Sequence, residues 1–190
     1  MIIKGKSRAR PQQLAIHLSN AEKAEKNETV RLIEARGTLA QDLRGALIEM
    51  DAYAAGTRCE RSLYHAAISP EPPHVLTPEQ RAEAIEALEK RLGLSGHAHV
   101  VVMHEKLGRQ HIHVVWSRID LQKMRTVSDS HNFRKHEEVA RDLERQFGHA
   151  ACRARIANAT ASNAPTAHRR APSCSSRNAP ASPASAPRKR

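Results

Sequence analysis

The sequence predicts an α+β domain, with helices on one face of a largely antiparallel central sheet, followed by a disordered tail. Three observations predict this fold class. Short β-rich runs alternate with helical patterns along residues 1–148, two of those runs are separated only by a short glycine-containing loop, and the composition changes sharply near residue 150. The predicted element order is β-α-β-α-β-α-β-β-α. With 190 residues, 39% of them hydrophobic, the chain can bury one modest core and is too short for a large multidomain protein.

Proline and glycine delimit the first helix and the strand after it. Following a short apolar start at Ile2, Pro11 suits the first position of a helix, where its missing N–H costs no hydrogen bond. Apolar residues then occur at helical spacing (Leu14, Ile16, Leu18 and Ala21). Residues 29–36 are rich in β-formers and stop at Gly37, which predicts a strand.

Capping signals predict the next two helices. Thr38 and Gln41 have the spacing of a capping box, and apolar residues follow at core spacing (Leu39, Leu43, Ala46, Leu47 and Met50). Residues 62–68 predict a strand, which ends at a proline-rich segment. Thr77, followed by proline, starts the later helix and Gly93 ends it, with an inward face formed by Ala84, Ile85, Leu88 and Leu92.

A β-hairpin and a final helix complete the predicted domain. Residues 98–104 and 111–119 are β-rich, and the loop between them contains Gly108, which favours a left-handed turn. Residues 132–147 then form an amphipathic helix, whose apolar positions include Phe133, Val139, Leu143 and Phe147.

The tail differs from the domain in charge and composition. The chain has a formal net charge of +11, and residues 151–190 contain eight basic side chains, no acidic one, 12 Ala, 6 Ser and 5 Pro. Such a segment cannot offset the entropy of folding, so we expect a domain over residues 1–148 and a disordered basic tail over 149–190. The tail would either raise affinity for polyanions or be only a solvated terminus.

Other compositional features point to the cytoplasm. Apolar runs are too short for a membrane span, and the N-terminus lacks the pattern of a secretory signal, so we expect a cytoplasmic protein without membrane insertion. The three cysteines, Cys59, Cys152 and Cys174, are widely spaced. They predict free thiols and not a disulfide framework or zinc knuckle.

Three histidines form the main candidate site. Strand alternation puts His111 and His113 on one face, and a hairpin that pairs His104 with His111 brings all three together. Three imidazole nitrogens leave positions open on a divalent metal, which is typical of catalytic sites, although exposed histidines of a His-rich protein are the simpler alternative. Lys106 and Arg109 in the loop would either clamp a phosphate or be ordinary turn charges.

Six other histidines show no shared spacing and are expected on strand and helix surfaces. These are His65, His97, His99, His131, His136 and His149. Tyr64 and His65 are adjacent on one strand and face opposite ways, so only one of them can face the three histidines.

The segment HEKLGRQHIHVVWSR, residues 104–118, resembles the third motif of the relaxase, or mobilisation nuclease, family of the MobA type in the HUH endonuclease superfamily. The similarity covers residues 1 to about 148, including a strand that ends at Ile68-Ser69. It implies an HUH-nuclease-like fold that holds Mg²⁺ or Mn²⁺ on three histidines. It also implies nicking of one DNA strand at a plasmid or mobile-element transfer origin, through a covalent 5′-phospho-protein intermediate.

The resemblance assigns residues unevenly. His104, His111 and His113 match the metal triad, and Ser69 matches a substrate-contacting position. Residues 1–52 contain no tyrosine, although most relaxases attack with a tyrosine of the N-terminal helix.

Because the N-terminal helix lacks a tyrosine, other residues become candidates for the attacking group and its base. His17 occupies the N-terminal helix and is the first candidate nucleophile, or else an ordinary histidine packed on that helix. Tyr64 is the second candidate, and the remaining alternative is a chain without a functional nucleophile. Glu34 would orient a triad histidine or act as a base, or be a solvated strand charge.

The implied partners are single-stranded DNA at a transfer origin, accessory relaxosome proteins and a coupling protein. Lys4, Lys6 and Arg8 form a candidate phosphate track, or a solvated basic terminus. The alternatives are a truncated, non-catalytic DNA-binding remnant, a rolling-circle replication initiator and a structural zinc protein.

Overall fold

The structure is a computed structural model that describes residues 1–19, 28–106 and 108–152, with Glu28 and Lys106 described by their backbone only. The elements follow in chain order: β1 (Ile2–Arg8), α1 (Pro11–Ser19), β2 (Glu28–Arg36), α2 (Leu43–Ala52), β3 (Leu63–Ser69), α3 (Pro78–Leu92), β4 (His99–Lys106), β5 (Arg109–Ser117), β6 (Ile119–Asp120), β7 (Arg125–Thr126) and α4 (Asn132–Phe147).

A five-stranded antiparallel sheet in the order β1-β3-β5-β4-β2 forms the centre of the fold, which confirms the predicted α+β class. The β4–β5 hairpin is also confirmed. β5 is the central strand, so the hairpin that carries the three histidines lies in the middle of the sheet. The short β6–β7 hairpin was not predicted from the sequence.

Helices cover both faces of the sheet, so the expectation of helices on one face is wrong. On one face, α3 and α4 pack on a core that includes Val114 and Trp116 of β5. On the other, α1 and α2 pack on Leu63, Val100 and Val115. The central strands are apolar on both faces, and both faces must therefore be covered to remove them from water.

The predicted capping box of α2 is wrong. The helix begins at Leu43, and the carboxylate of Asp42 caps it. Thr38 and Gln41 instead bond to backbone carbonyls within their loop, and Leu39 is 90% exposed. The Glu49 carboxylate of α2 accepts hydrogen bonds from the backbone N–H groups of Leu39 and Ala40. These bonds hold the loop outside the helix.

The predictions for α3 are confirmed. Thr77 and Gln80 form the capping box, and Gly93 ends the helix in the left-handed conformation at φ 78°. In α4 one position differs, because Phe133 is 69% exposed. The buried stripe of α4 begins at His136, one turn later, although the side-chain amide of Asn132 in the first turn still donates to the Gly5 carbonyl of β1.

The described residues after Gly148 contact the rest of the structure. The predicted boundary at residue 148 stays a prediction. The backbone N–H of Cys152 donates to Glu144, and the His149 ring stacks on His74 at a centroid distance of 4.1 Å.

Two further expectations concern the cysteines and membrane insertion. Cys59 and Cys152 are free thiols, whereas Cys174, Ala21 and residues 153–190 of the predicted disordered tail lie outside the described residues. Within the described ranges, no helix is both long and apolar enough to cross a membrane.

Candidate metal centre and nuclease site

The β4–β5 hairpin brings the three predicted histidines together. His104 lies opposite His111, and one potential ligand nitrogen from each of His104, His111 and His113 lies within 4.8 Å of the other two. The ring centroids are 4.5–5.1 Å apart. The strands continue further than predicted, so the turn is tighter and contains Gly108 at φ 71°.

The donor set fits a divalent cation. Burial, followed by the neighbouring histidines, lowers the pKa of His113 to about 2, so its ring is neutral at physiological pH. Neutral imidazole is the form that ligates metals. Three such rings at one end of a hairpin could hold an ion and leave positions open for water or a phosphate oxygen.

The C-terminal turn of α1 contacts this cluster directly. The Nε2 atom of His104 lies 2.7 Å from the carbonyl oxygen of Leu18. Leu18 is itself buried in the core of this face. The contact therefore fixes α1, and with it the neighbouring residue His17, against the histidine cluster.

His17 lies beside the cluster, as predicted for a nucleophile candidate. It is exposed on α1, and its ring centroid is 6.4 Å from that of His65. Burial is the main cause of the low pKa values of His65 and His113, and the neighbouring His17 lowers both further.

A fourth histidine joins the cluster, and its expected surface position is wrong. His65 of β3 is only 7% exposed, and its Nε2 atom lies 2.9 Å from Nδ1 of His113. The pairing of Ala67 with His113 puts alternate residues of β3 on the triad's face. Strand alternation limits this position to Tyr64 or His65, but only the order of the strands decides between them.

Tyr64 lies on the opposite face and is not brought to the histidine cluster. Its side chain is 1% exposed, and its hydroxyl lies 2.9 Å from Nε2 of His136. Burial raises the pKa of the Tyr64 hydroxyl to about 12. His136 is fully buried, so its expected surface position is also wrong.

Glu34 is likewise directed away from the triad. It pairs with Val101, whose side chain belongs to the α3–α4 face, and follows a register shift in β2. Its carboxylate lies 3.4 Å from Nε2 of His99 and not beside a triad histidine. His99 is buried rather than on the surface as expected, and it also contacts Glu89.

Basic residues of β1 lie on the triad's face. Lys4, Lys6 and Arg8 pair with Ala67, His65 and Leu63, so their side chains alternate onto that face. Burial is the main cause that lowers the pKa of His65, and the charges of Arg8 and Lys6 lower it further.

A cavity of about 350 Å³ opens beside His111. Ser69 and Arg109, two of the predicted DNA-contacting residues, line it together with His74 and the Pro70–Pro73 loop. The backbone of Lys106 pairs with Arg109, and its side chain lies outside the described parts of the structure.

Comparison with known proteins agrees with this geometry. The family model of the MobA/VirD2-like relaxase nuclease domain matches residues 18–149, which is more than half of the chain. No curated protein sequence matches the chain. Membership of this family implies a DNA endonuclease that acts on single-stranded DNA. The chain thus belongs to the MobA/VirD2-like relaxase family, whose nuclease-domain model matches residues 18–149.

Proposed function

We propose that the protein is a metal-dependent relaxase that nicks one DNA strand at the transfer origin of a plasmid or mobile element and remains joined to the 5′ end. The observation that carries this proposal is the convergence of His104, His111 and His113 with His17, within a family of nucleases. The preferred ion is Mg²⁺ or Mn²⁺, held by the three hairpin histidines.

The bound ion would polarise the scissile phosphate and stabilise the charge that develops on its oxygens. The hairpin supplies three nitrogens on neighbouring rigid strands, so little conformational entropy is lost when they converge on a ligand. His104 is further anchored by the Leu18 carbonyl. These contacts favour a site that exists before DNA binds.

His17 is the proposed nucleophile. A neutral imidazole nitrogen attacks phosphorus, a P–N bond forms and the P–O3′ bond breaks. The imidazole loses the proton of its other nitrogen, and the departing 3′ oxygen takes up one proton, so the step is balanced. The phosphoramidate keeps the bond energy, so a 3′-hydroxyl can later displace His17 and rejoin the strand. The position of His17 on an exposed face of α1, next to the cluster, supports this role.

Basic residues around the triad are proposed to bind the DNA backbone. Lys4, Lys6 and Arg8 form a row on the same sheet face, and Arg109 lies with Ser69 on the wall of the cavity beside His111. Lysine and arginine at such positions neutralise phosphates and set the position of the strand. The loop residue Lys106 belongs to the same proposed set. A coupling protein and accessory relaxosome proteins are the proposed partners.

A non-catalytic DNA-binding remnant is the second candidate. The absence of any tyrosine from residues 1–52 favours this candidate, because most relaxases attack with a tyrosine of the N-terminal helix. Under this alternative the protein binds single strands but forms no adduct.

The test incubates the full chain with Mn²⁺ and a library of single-stranded oligonucleotides, followed by denaturing electrophoresis and peptide mapping. The proposal predicts a metal-dependent covalent adduct mapped to His17 and lost in His17→Ala. Gln13→Ala, an exposed change on the same helix, should retain it. DNA binding without an adduct would favour the remnant.

A further inference from the structure

The contact between His65 and His113 constrains the protons of both rings. A neutral imidazole carries one N–H donor and one acceptor nitrogen. His65 Nε2 and His113 Nδ1 lie 2.9 Å apart, so one of them must donate to the other. Only two arrangements are therefore compatible with the contact.

The two arrangements differ in their effect on the proposed metal site. If His65 donates, the proton of His113 lies on its Nε2 atom, which then has no lone pair for a cation. If His113 donates from Nδ1, its Nε2 atom carries the lone pair, and His65 holds its own proton on Nδ1. Metal binding by His113 therefore requires His65 to be the acceptor.

We propose that His65 is a positioning residue that accepts the Nδ1–H of His113 and thereby presents His113 Nε2 to the cation. The proposal rests on the proposed function and specifies how its metal site is organised. Ligating histidines usually donate their second N–H to a carboxylate or a carbonyl, and a neutral histidine takes that place in this chain.

The surroundings of His65 suit a neutral acceptor. The ring is buried between β1 and β5, on the sheet face that α1 also covers. Lys6 pairs with His65, and Lys6 and Arg8 lie on the same sheet face as the His65 ring. His17 lies at its other side, with the rings edge to face. Unlike a carboxylate in this position, a neutral His65 adds no negative charge to the site.

Two substitutions separate this role from simple packing. His65→Phe keeps an aromatic ring but removes the acceptor, whereas His65→Gln retains a carbonyl oxygen that can accept the Nδ1–H. His97→Gln, in the loop before β4 and therefore at the end of that strand opposite His104, is the matched control. Calorimetric titration of Mn²⁺ into each full chain should show at least tenfold weaker binding for His65→Phe, with much less loss for His65→Gln and none for the control.

The second readout is the tautomer itself. Nitrogen-15 NMR of the metal-free wild type, with His113→Ala for assignment, should place the His113 proton on Nδ1. A proton on Nε2, or unchanged Mn²⁺ affinity in a folded His65→Phe protein, would overturn the proposal. The NMR measurement needs no metal, so it tests the position of the His113 proton even if the wild type fails to bind Mn²⁺. Failure to bind Mn²⁺ would count against the proposed function and not against this hydrogen bond.

Discussion

Replacing Glu89 with leucine should strongly destabilise the domain. Glu89 is 5% exposed on α3, and it accepts hydrogen bonds from the Trp116 indole and the Arg36 guanidinium, each at 2.8 Å. Nδ1 of His99 also lies 2.8 Å away. Burial alone would raise the pKa of Glu89, but the contacts of these three partners outweigh it and lower the pKa below its usual value.

The magnitude follows from the burial of this network. The indole N–H of Trp116 would be left without its acceptor, which costs about 1–3 kcal/mol. The Arg36 side chain is 46% exposed, so water replaces its lost contact and adds little to that cost. With a urea m-value of about 2 kcal/mol/M, the unfolding midpoint should fall by about 1 M.

The assay is urea unfolding followed by tryptophan fluorescence, because Trp116 is the only tryptophan of the chain. Glu86→Leu, at an exposed position of the same helix, is the control and should change the free energy of unfolding by less than about 0.5 kcal/mol. A loss below about 1 kcal/mol for Glu89→Leu would refute the reasoning, since the buried network would then contribute little.

Three further outcomes are expected. Burial holds the pKa of His65 at about 3 and of His113 at about 2, so only the unfolded chain takes up these protons below about pH 6.5. Stability of the metal-free protein should then fall with decreasing pH, by up to about 1.4 kcal/mol per pH unit for each group, and a flat profile between pH 4 and 6.5 would contradict this. Gly5→Ala would place a Cβ 2.9 Å from an imidazole carbon of α4 and 3.1 Å from a backbone oxygen of β3, so differential scanning calorimetry should show a loss of about 1–3 kcal/mol; an unchanged Tm would argue against that packing. Lys6→Ala and Arg8→Ala should each reduce the salt slope of single-stranded DNA binding by about one in fluorescence anisotropy, and equal slopes would remove them from the interface.

Local signals predicted the parts of the fold that depend on neighbouring residues. The α3 helix has a complete set of capping signals at Thr77, Gln80 and Gly93, and the structure agrees. The hairpin register of His104 and His111 followed from strand alternation and one glycine turn. The triad could therefore be located without knowing the rest of the sheet.

Features that depend on distant pairing could not be predicted in this way. The position of His65 follows from β3 lying next to β5, and the strand sequence alone contains no signal for that order. For the same reason Glu34 is directed to His99 and not to the triad. The capping of α2 by Asp42 was missed because Thr38 and Gln41 have the spacing of a capping box. Only the contacts of Glu49 with the loop backbone show that the helix starts after Asp42 and not after Thr38.

Calorimetric titration of Mn²⁺ into the full chain, alongside its His111→Ala/His113→Ala double variant, tests the central claim most directly. Circular dichroism of both proteins would first establish that they are folded. The account predicts one-site binding in the wild type and loss of that binding in the double variant, because two of the three ligands are removed. A folded wild type that binds no Mn²⁺ would contradict the proposed metal site.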